Sequence, residues 1–195
     1  MTASQIQNIY SSSYTIGESR GKKRQHIINE TIIESLKSLP KYQGCEFKCE
    51  KKIVKIIWGK YFNVDVAVYN NGTLIEILLF KAPASNISQN SVNLLNAKMG
   101  EVMRLLPQIK EGVNLTFISL QPNITPYFTS DGNVKHTEKN HVHTIQNVKE
   151  YLKDIDFSEI TVTFNIEGIE NCKTKKDVKN LFSNNEVITN IEVHI

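Results

Sequence analysis

Two carboxylates stand where carboxylates are uncommon. Asp65 lies inside Val64-Asp-Val-Ala-Val68, and Glu76 lies inside Leu74-Ile-Glu-Ile-Leu-Leu-Phe80. An acid in such an apolar, β-branched run must be paired, hydrogen-bonded or bound to a metal ion. Between the runs, Asn70-Asn71-Gly72 is a hairpin signal, because Asn and Gly accept the positive φ of a tight turn. With Asn71 and Gly72 as the central residues, Asn70 pairs with Thr73 and Asp65 falls opposite Leu78. Asp65, Glu76 and Leu78 then share one face beside Asn63, while Val64, Val66, Val68, Ile75, Ile77 and Leu79 form an apolar face fit for a core. A three-residue loop would put Glu76 among the valines, since a one-residue slip exchanges the faces, so the pattern favours the two-residue turn. Two acids converging on one face suit metal chemistry, or they are structural acids held by a neighbouring lysine.

Other chemistry-bearing residues are scattered. Glu30 and Glu34 lie four apart on one side of an expected helix. Arg20, Lys22, Lys23, Arg24 and His26 form one basic cluster, and Lys48, Lys51, Lys52, Lys55 and Lys60 form another. Such clusters either neutralise phosphates or are solvated faces. Cys45 and Cys49 lack zinc-finger spacing, and His141 and His143 would share a strand face in a polar segment. GxGxxG, GxxxxGK[ST], HExxH and GxSxG are absent, which removes the simplest nucleotide, metalloprotease and esterase readings.

The elements that must position these residues follow from periodicity. Residues 1–19 read as a polar start. A helix is predicted over Lys22–Leu39, its stripe made by Ile27, Ile28, Ile32, Ile33 and Leu36, and Pro40 stops it. Strands are predicted over Lys52–Trp58, Phe62–Tyr69 and Thr73–Phe80. After the polar connection Ser85–Asn90 comes a helix over Val92–Leu106, ended by Pro107, and then a buried strand over Val113–Leu120. Residues 129–143 form a polar excursion. Beyond it are a short helix near Ile145–Leu152, a strand near Ile160–Ile166, a helix near Lys175–Phe182 and a last strand at Val187–Ile195. This order predicts an α/β fold, a central mixed sheet flanked by helices.

The chain has 195 residues, 40% hydrophobic and 22% charged, which excludes the disordered and fibrous classes and needs no disulfide or metal staple. A single domain over 1–195 is expected, with a core at about 20–128 and a C-terminal elaboration at 129–195. The net charge of +3 decides little. Three cysteines without CxxC, a start lacking the pattern of a secretory signal, and no apolar run of membrane-spanning length point to a soluble cytoplasmic protein with no membrane partner.

Asp65, then ten residues, then Glu76-Ile-Leu78 on the next strand resembles the core motif of the PD-(D/E)XK nucleases, and Leu74-Ile-Glu-Ile-Leu-Leu-Phe-Lys-Ala-Pro83 is especially close. With Asn86, Asn90 and Asn93 after it and a helix carrying Gly100-Glu101 and Arg104, the chain is similar to type II restriction endonucleases over about residues 20–128. The resemblance implies a restriction-endonuclease-like α/β/α core and sequence-specific hydrolysis of double-stranded DNA. It also implies Mg²⁺ on Asp65 and Glu76, and a homodimer that cuts both strands. The family's lysine position, two residues after the second acid, maps to Leu78. Lys81 lies three residues further on and is expected to point to the other face. The resemblance therefore implies either a natural loss of activity or an introduced substitution that silences an enzyme, and Leu78→Lys is expected to restore cleavage. Glu34 is a candidate assistant to a second metal or a water. Lys22, Lys23, Arg24, Ser85, Asn86, Ser88, Asn90, Asn93 and Lys98 are candidate DNA contacts. The alternatives are a non-catalytic DNA-binding protein on the same fold, and an interaction module with structural acids.

Overall fold

A computed structural model describes residues 1–15, 22–140 and 148–195. Arg20, His141 and His143 lie outside them. The helices are α1 (Ala3–Thr15), α2 (Lys22–Lys37), α3 (Ile87–Lys110), the single turn α4 (Val148–Tyr151) and α5 (Lys175–Asn184). The strands are β1 (Glu46–Ile53), β2 (Phe62–Asn70), β3 (Thr73–Lys81), β4 (Asn114–Pro122), β5 (Ile124–Phe128), β6 (Val134–Lys139), β7 (Ser158–Ile166) and β8 (Ile188–His194). Among the described residues, β1-β2-β3-β4-β7-β8 form one six-stranded sheet and β5-β6 a separate hairpin. β3, β4 and β7 run parallel, and β1, β2 and β8 join antiparallel, so the sheet is mixed.

Each face of the sheet carries its own apolar cluster. Ile9, Tyr10, Ile32, Val66, Val68, Leu78, Phe164 and Phe182 pack on the side of α1, α2 and α5. Val64, Ala67, Ile77, Leu79, Val102, Leu105 and Phe117 pack on the side of α3. The fold is α/β, a mixed sheet between two helical layers, in line with the order of elements. No helix among the described residues is long and apolar enough to cross a membrane.

Several boundaries differ from the sequence pattern, and β6 falls inside the segment expected as a polar excursion. Residues 3–15 are helical, because Ile6, Ile9 and Tyr10 recur at helical spacing and are fully buried against the sheet. The first strand is Glu46–Ile53 rather than Lys52–Trp58. It is an edge strand, where a run of outward lysines is tolerated, and the β-branched stretch after it becomes a loop. Helix α3 begins at Ile87 and runs through Pro107 to Lys110.

The hairpin decides the site. Asn71 (φ 48) and Gly72 (φ 78) make the expected two-residue turn, with Asn70 opposite Thr73 and Tyr69 opposite Leu74. The next pair is Val68 with Glu76, which leaves Ile75 as the extra residue of a β-bulge. Every pair beyond it is displaced by one, so Val66, not Asp65, faces Leu78. The bulge thus performs the slip that the turn alone excludes, and Glu76 comes to the face of Val66, Val68 and Leu78. The ladder between β2 and β3 stops at Val66 and Leu78, and the ladder between β1 and β2 skips Glu50, whose φ is 47. Asp65 sits where both ladders break.

Candidate active site

Beyond the last ladder pair, the Asp65 side chain takes over the role of a strand carbonyl. Its Oδ2 accepts the Phe80 backbone N–H at 2.7 Å. Helix α2 closes the other side: Gln25 Nε2 donates to Asp65 Oδ1 at 3.1 Å, and Asn29 Nδ2 donates to the Asp65 carbonyl at 3.3 Å. Gln25 and Asn29 are one turn apart and bonded to each other at 2.8 Å. Burial pushes the Asp65 carboxyl up to about 6; the Phe80 N–H and the Lys81 charge oppose this, while Glu101 and Glu50 add to it.

Lys81 ends β3 and Glu101 lies midway along α3. Lys81 Nζ stands 2.8 Å from Glu101 Oε1, and the two side chains are only 17% and 18% exposed. Glu101 Oε2 is buried with no hydrogen-bond partner among the described residues. An orphaned carboxylate oxygen of this kind is costly unless a cation or water meets it. Asp65 and Glu101, whose charge acts on the Asp65 carboxyl, thus form a half-buried acid pair beside a lysine. Among the described residues, no group of three or more His, Cys, Asp or Glu could hold one ion. Two carboxylates are nonetheless what Mg²⁺ takes when waters and phosphate oxygens fill its other positions. The orphaned Glu101 oxygen and the Asp65 carboxylate are donors of the type such an ion takes.

Next to this cluster opens a cleft of about 650 Å³. Gln25 and Lys81 line its site end, and Arg24, Asn93, Ser130 and Lys175 line its walls.

Several expectations change. Glu76 does not join Asp65: it lies four residues before Phe80 on β3, roughly 13 Å at about 3.3 Å per residue. It is saturated by Thr116 Oγ1 (2.7 Å), Tyr42 Oη (3.0 Å) and Lys41 Nζ (2.9 Å), so its role is structural. Leu78 is fully buried in the core beneath α1 and α2 and is not a vacated lysine position. Lys81 reaches the site because the bulge reverses the faces. Glu34 is exposed on the rim of a separate hollow between α1 and α2 with Gln5, Asn8 and Thr31, away from Asp65.

Of the candidate DNA contacts, Lys98 is 1% exposed, paired with Glu159 and set 5.3 Å from the Phe117 ring centroid, which removes it from any surface. Ser88 bonds Glu138, and Asn90 Nδ2 donates to the Asn86 carbonyl at 2.8 Å. Arg24 donates to Ser13 Oγ and to the Ala82 carbonyl, bracing the end of β3 while still bordering the cleft. Asn86 also has a structural duty. In the left-handed region at φ 51, it exchanges two hydrogen bonds with Phe128, at 3.0 and 2.9 Å. Asn86→Ala is expected to lower stability by about 2 kcal/mol, from two lost hydrogen bonds at roughly 1 kcal/mol each, read as a shift in the urea midpoint. Ser85 and Asn93 line the cleft, Lys23 is exposed, and the Lys22 side chain lies outside what is described. Sequence spacing missed Gln25 and Asn29, which carry no motif, although Asn29 stands one turn before Ile32 and Ile33 and is buried with them on the inner side of α2. For Lys81 and Glu101 the signal was a strand-ending lysine followed by an acid on the next helix.

No protein-family model matches the chain, and no curated protein matches it. Among solved structures, it is similar to that of Pyrococcus furiosus SfsA in complex with Ca²⁺, with 13% identity, a TM-score of 0.43 and 78% of this chain covered. The chain spans 63% of that protein's length.

Proposed function

We propose that the chain is a Mg²⁺-dependent endonuclease acting on double-stranded DNA in the manner of type II restriction enzymes, with Asp65, Glu101 and Lys81 as its working groups. The observation that carries this is the partnerless Glu101 Oε2, buried beside Lys81 and close enough for its charge to act on Asp65. Bound between the two acids, Mg²⁺ would lower the pKa of a water and offset the charge that builds on the phosphate. Asp65, held by Phe80 and Gln25, is preset to face a cation because its carboxyl has few ways to turn. Lys81 supplies a positive charge where negative charge develops, and it orients the attacking water. Arg24, Asn93 and Lys175 line the wall along which a phosphate backbone would run. Cutting both strands takes two such sites, so a homodimer is part of the proposal.

The test incubates the chain as it stands with mixed-sequence duplex DNA in Mg²⁺ and in EDTA. Discrete fragments in Mg²⁺ alone are expected, with loss in Lys81→Ala and Glu101→Gln. Retained duplex binding without cleavage would instead make this a non-catalytic DNA-binding protein. Absence of binding even at low salt would leave an interaction module.

A further inference from the structure

The loop between β1 and β2 is unlike the rest of the surface. From residue 51 to 64 the chain carries four lysines and no acid, and within that stretch stand Trp58 and Tyr61. Trp58 is 71% exposed and Tyr61 51%. Trp58 also holds φ 59, a left-handed conformation that is an outlier for so bulky a residue, and Gly59 follows at φ 149. A largely exposed indole on a strained backbone is the kind of outlier that clusters at ligand-binding sites.

The loop is fixed beside the candidate site. The Ile57 N–H donates to the Arg104 carbonyl at 3.1 Å, and Gln108 Nε2 donates to the Val54 carbonyl at 3.3 Å. Arg104 is one turn along α3 from Glu101, and its guanidinium lies 5.6 Å from the Phe62 ring centroid, three residues before Asp65. Lys52 Nζ lies 4.7 Å from the Tyr61 ring centroid, while Lys55 is paired at the surface with Glu111 at 3.3 Å. Flat exposed rings among cations match one chemistry, an unpaired base next to its own phosphates, because stacking needs a free base face and the backbone needs positive charge. A paired base inside a duplex offers no such face.

We propose that Trp58, flanked by Tyr61, Lys52 and Lys60, is a stacking platform for an unpaired nucleotide of a DNA strand reaching the Asp65–Glu101 cluster. It rests on the nucleic-acid part of the function proposed above and is independent of cleavage. Trp58 is the chain's one tryptophan, so its emission reports the contact directly. In EDTA, the whole protein is titrated with a duplex carrying a short single-stranded overhang and with the blunt duplex of the same sequence. The overhang is expected to quench the emission and to bind about tenfold tighter, the range of one stacked base. Trp58→Ala should erase that preference, Trp58→Phe should keep part of it, and Lys60→Ala should weaken both duplexes and flatten the salt dependence. Equal binding of the two duplexes, or a Trp58→Ala variant that keeps the preference, overturns the platform and leaves the cleavage site standing if Mg²⁺-dependent fragments persist. Binding of neither duplex by a chain with native circular dichroism overturns the platform together with the nucleic-acid function.

Discussion

Leu78→Lys is expected to unfold the protein or leave it barely folded, with no gain in DNA cleavage. Leu78 is fully buried and packs with Val66, Val68 and Phe80 beneath α1 and α2. A lysine there must either bury its ammonium or deprotonate. Buried lysines shift by about four units in such surroundings, which at 1.36 kcal/mol per unit is on the order of 5 kcal/mol before any steric strain. That approaches the whole stability of an ordinary domain. The measurement is the urea midpoint of parent and variant, followed by cleavage assays on whatever folds. A folded variant with new Mg²⁺-dependent activity would return the lysine position to Leu78 and remove Lys81 from the site.

Asp65→Asn is expected to abolish cleavage while raising stability above neutral pH. Removing one of the two carboxylates proposed to hold the metal would withdraw roughly 4 kcal/mol of charge stabilisation, about a thousandfold in rate at 1.36 kcal/mol per power of ten. The stability change runs the other way because of burial. The carboxyl titrates at about 6 in the folded chain against an ordinary 3.8, so between those values the native state binds the extra proton. Stability from this group is therefore greatest below about pH 4 and is lost as pH rises through about 6. Asn cannot ionise, and its carbonyl still accepts the Phe80 N–H, so the variant escapes that loss. The check is the melting temperature of both proteins at pH 5 and pH 8 in EDTA: the gain should be larger at pH 8. Glu76→Gln provides the contrast. It should lower the melting temperature at neutral pH, by about 1–3 kcal/mol in stability, because it weakens charge-assisted bonds from Tyr42, Thr116 and Lys41. A destabilised Asp65→Asn would place Asp65 with the structural acids.

The opposite fates of these two acids show how far the sequence could be read. Hydrophobic periodicity found α2, the hairpin, β4 and the last helix, since burial of one face sets the spacing of apolar residues in each. The Asn71-Gly72 turn was legible because its φ values belong to those residue types. Asp65 was legible as a carboxylate in an apolar strand. The order of elements was enough for an α/β sheet between helical layers.

The partners of Asp65 were not legible. A single extra residue, Ile75, bulges from β3 and reverses the faces of everything after it, and no local pattern marks it. Alternation grouped Val64, Val66, Val68, Ile75, Ile77 and Leu79 on one core face. In the fold, Val66, Val68 and Ile75 pack with Leu78 on one side of the sheet, and Val64, Ile77 and Leu79 pack on the other. Alternation likewise assigned Glu76 and Lys81 to the wrong sides. Glu101 is 36 residues from Asp65 in the chain, and Gln25 is 40 residues from it in the other direction. Their convergence depends on how α3 and α2 lie across opposite faces of the sheet, and on the two ladder breaks that free the Asp65 side chain. The sequence by itself determined which segments bury which residues, because transfer from water is local and proportional to area. Only the tertiary structure decided which charges meet, because that is a matter of register and of packing between elements distant in the chain.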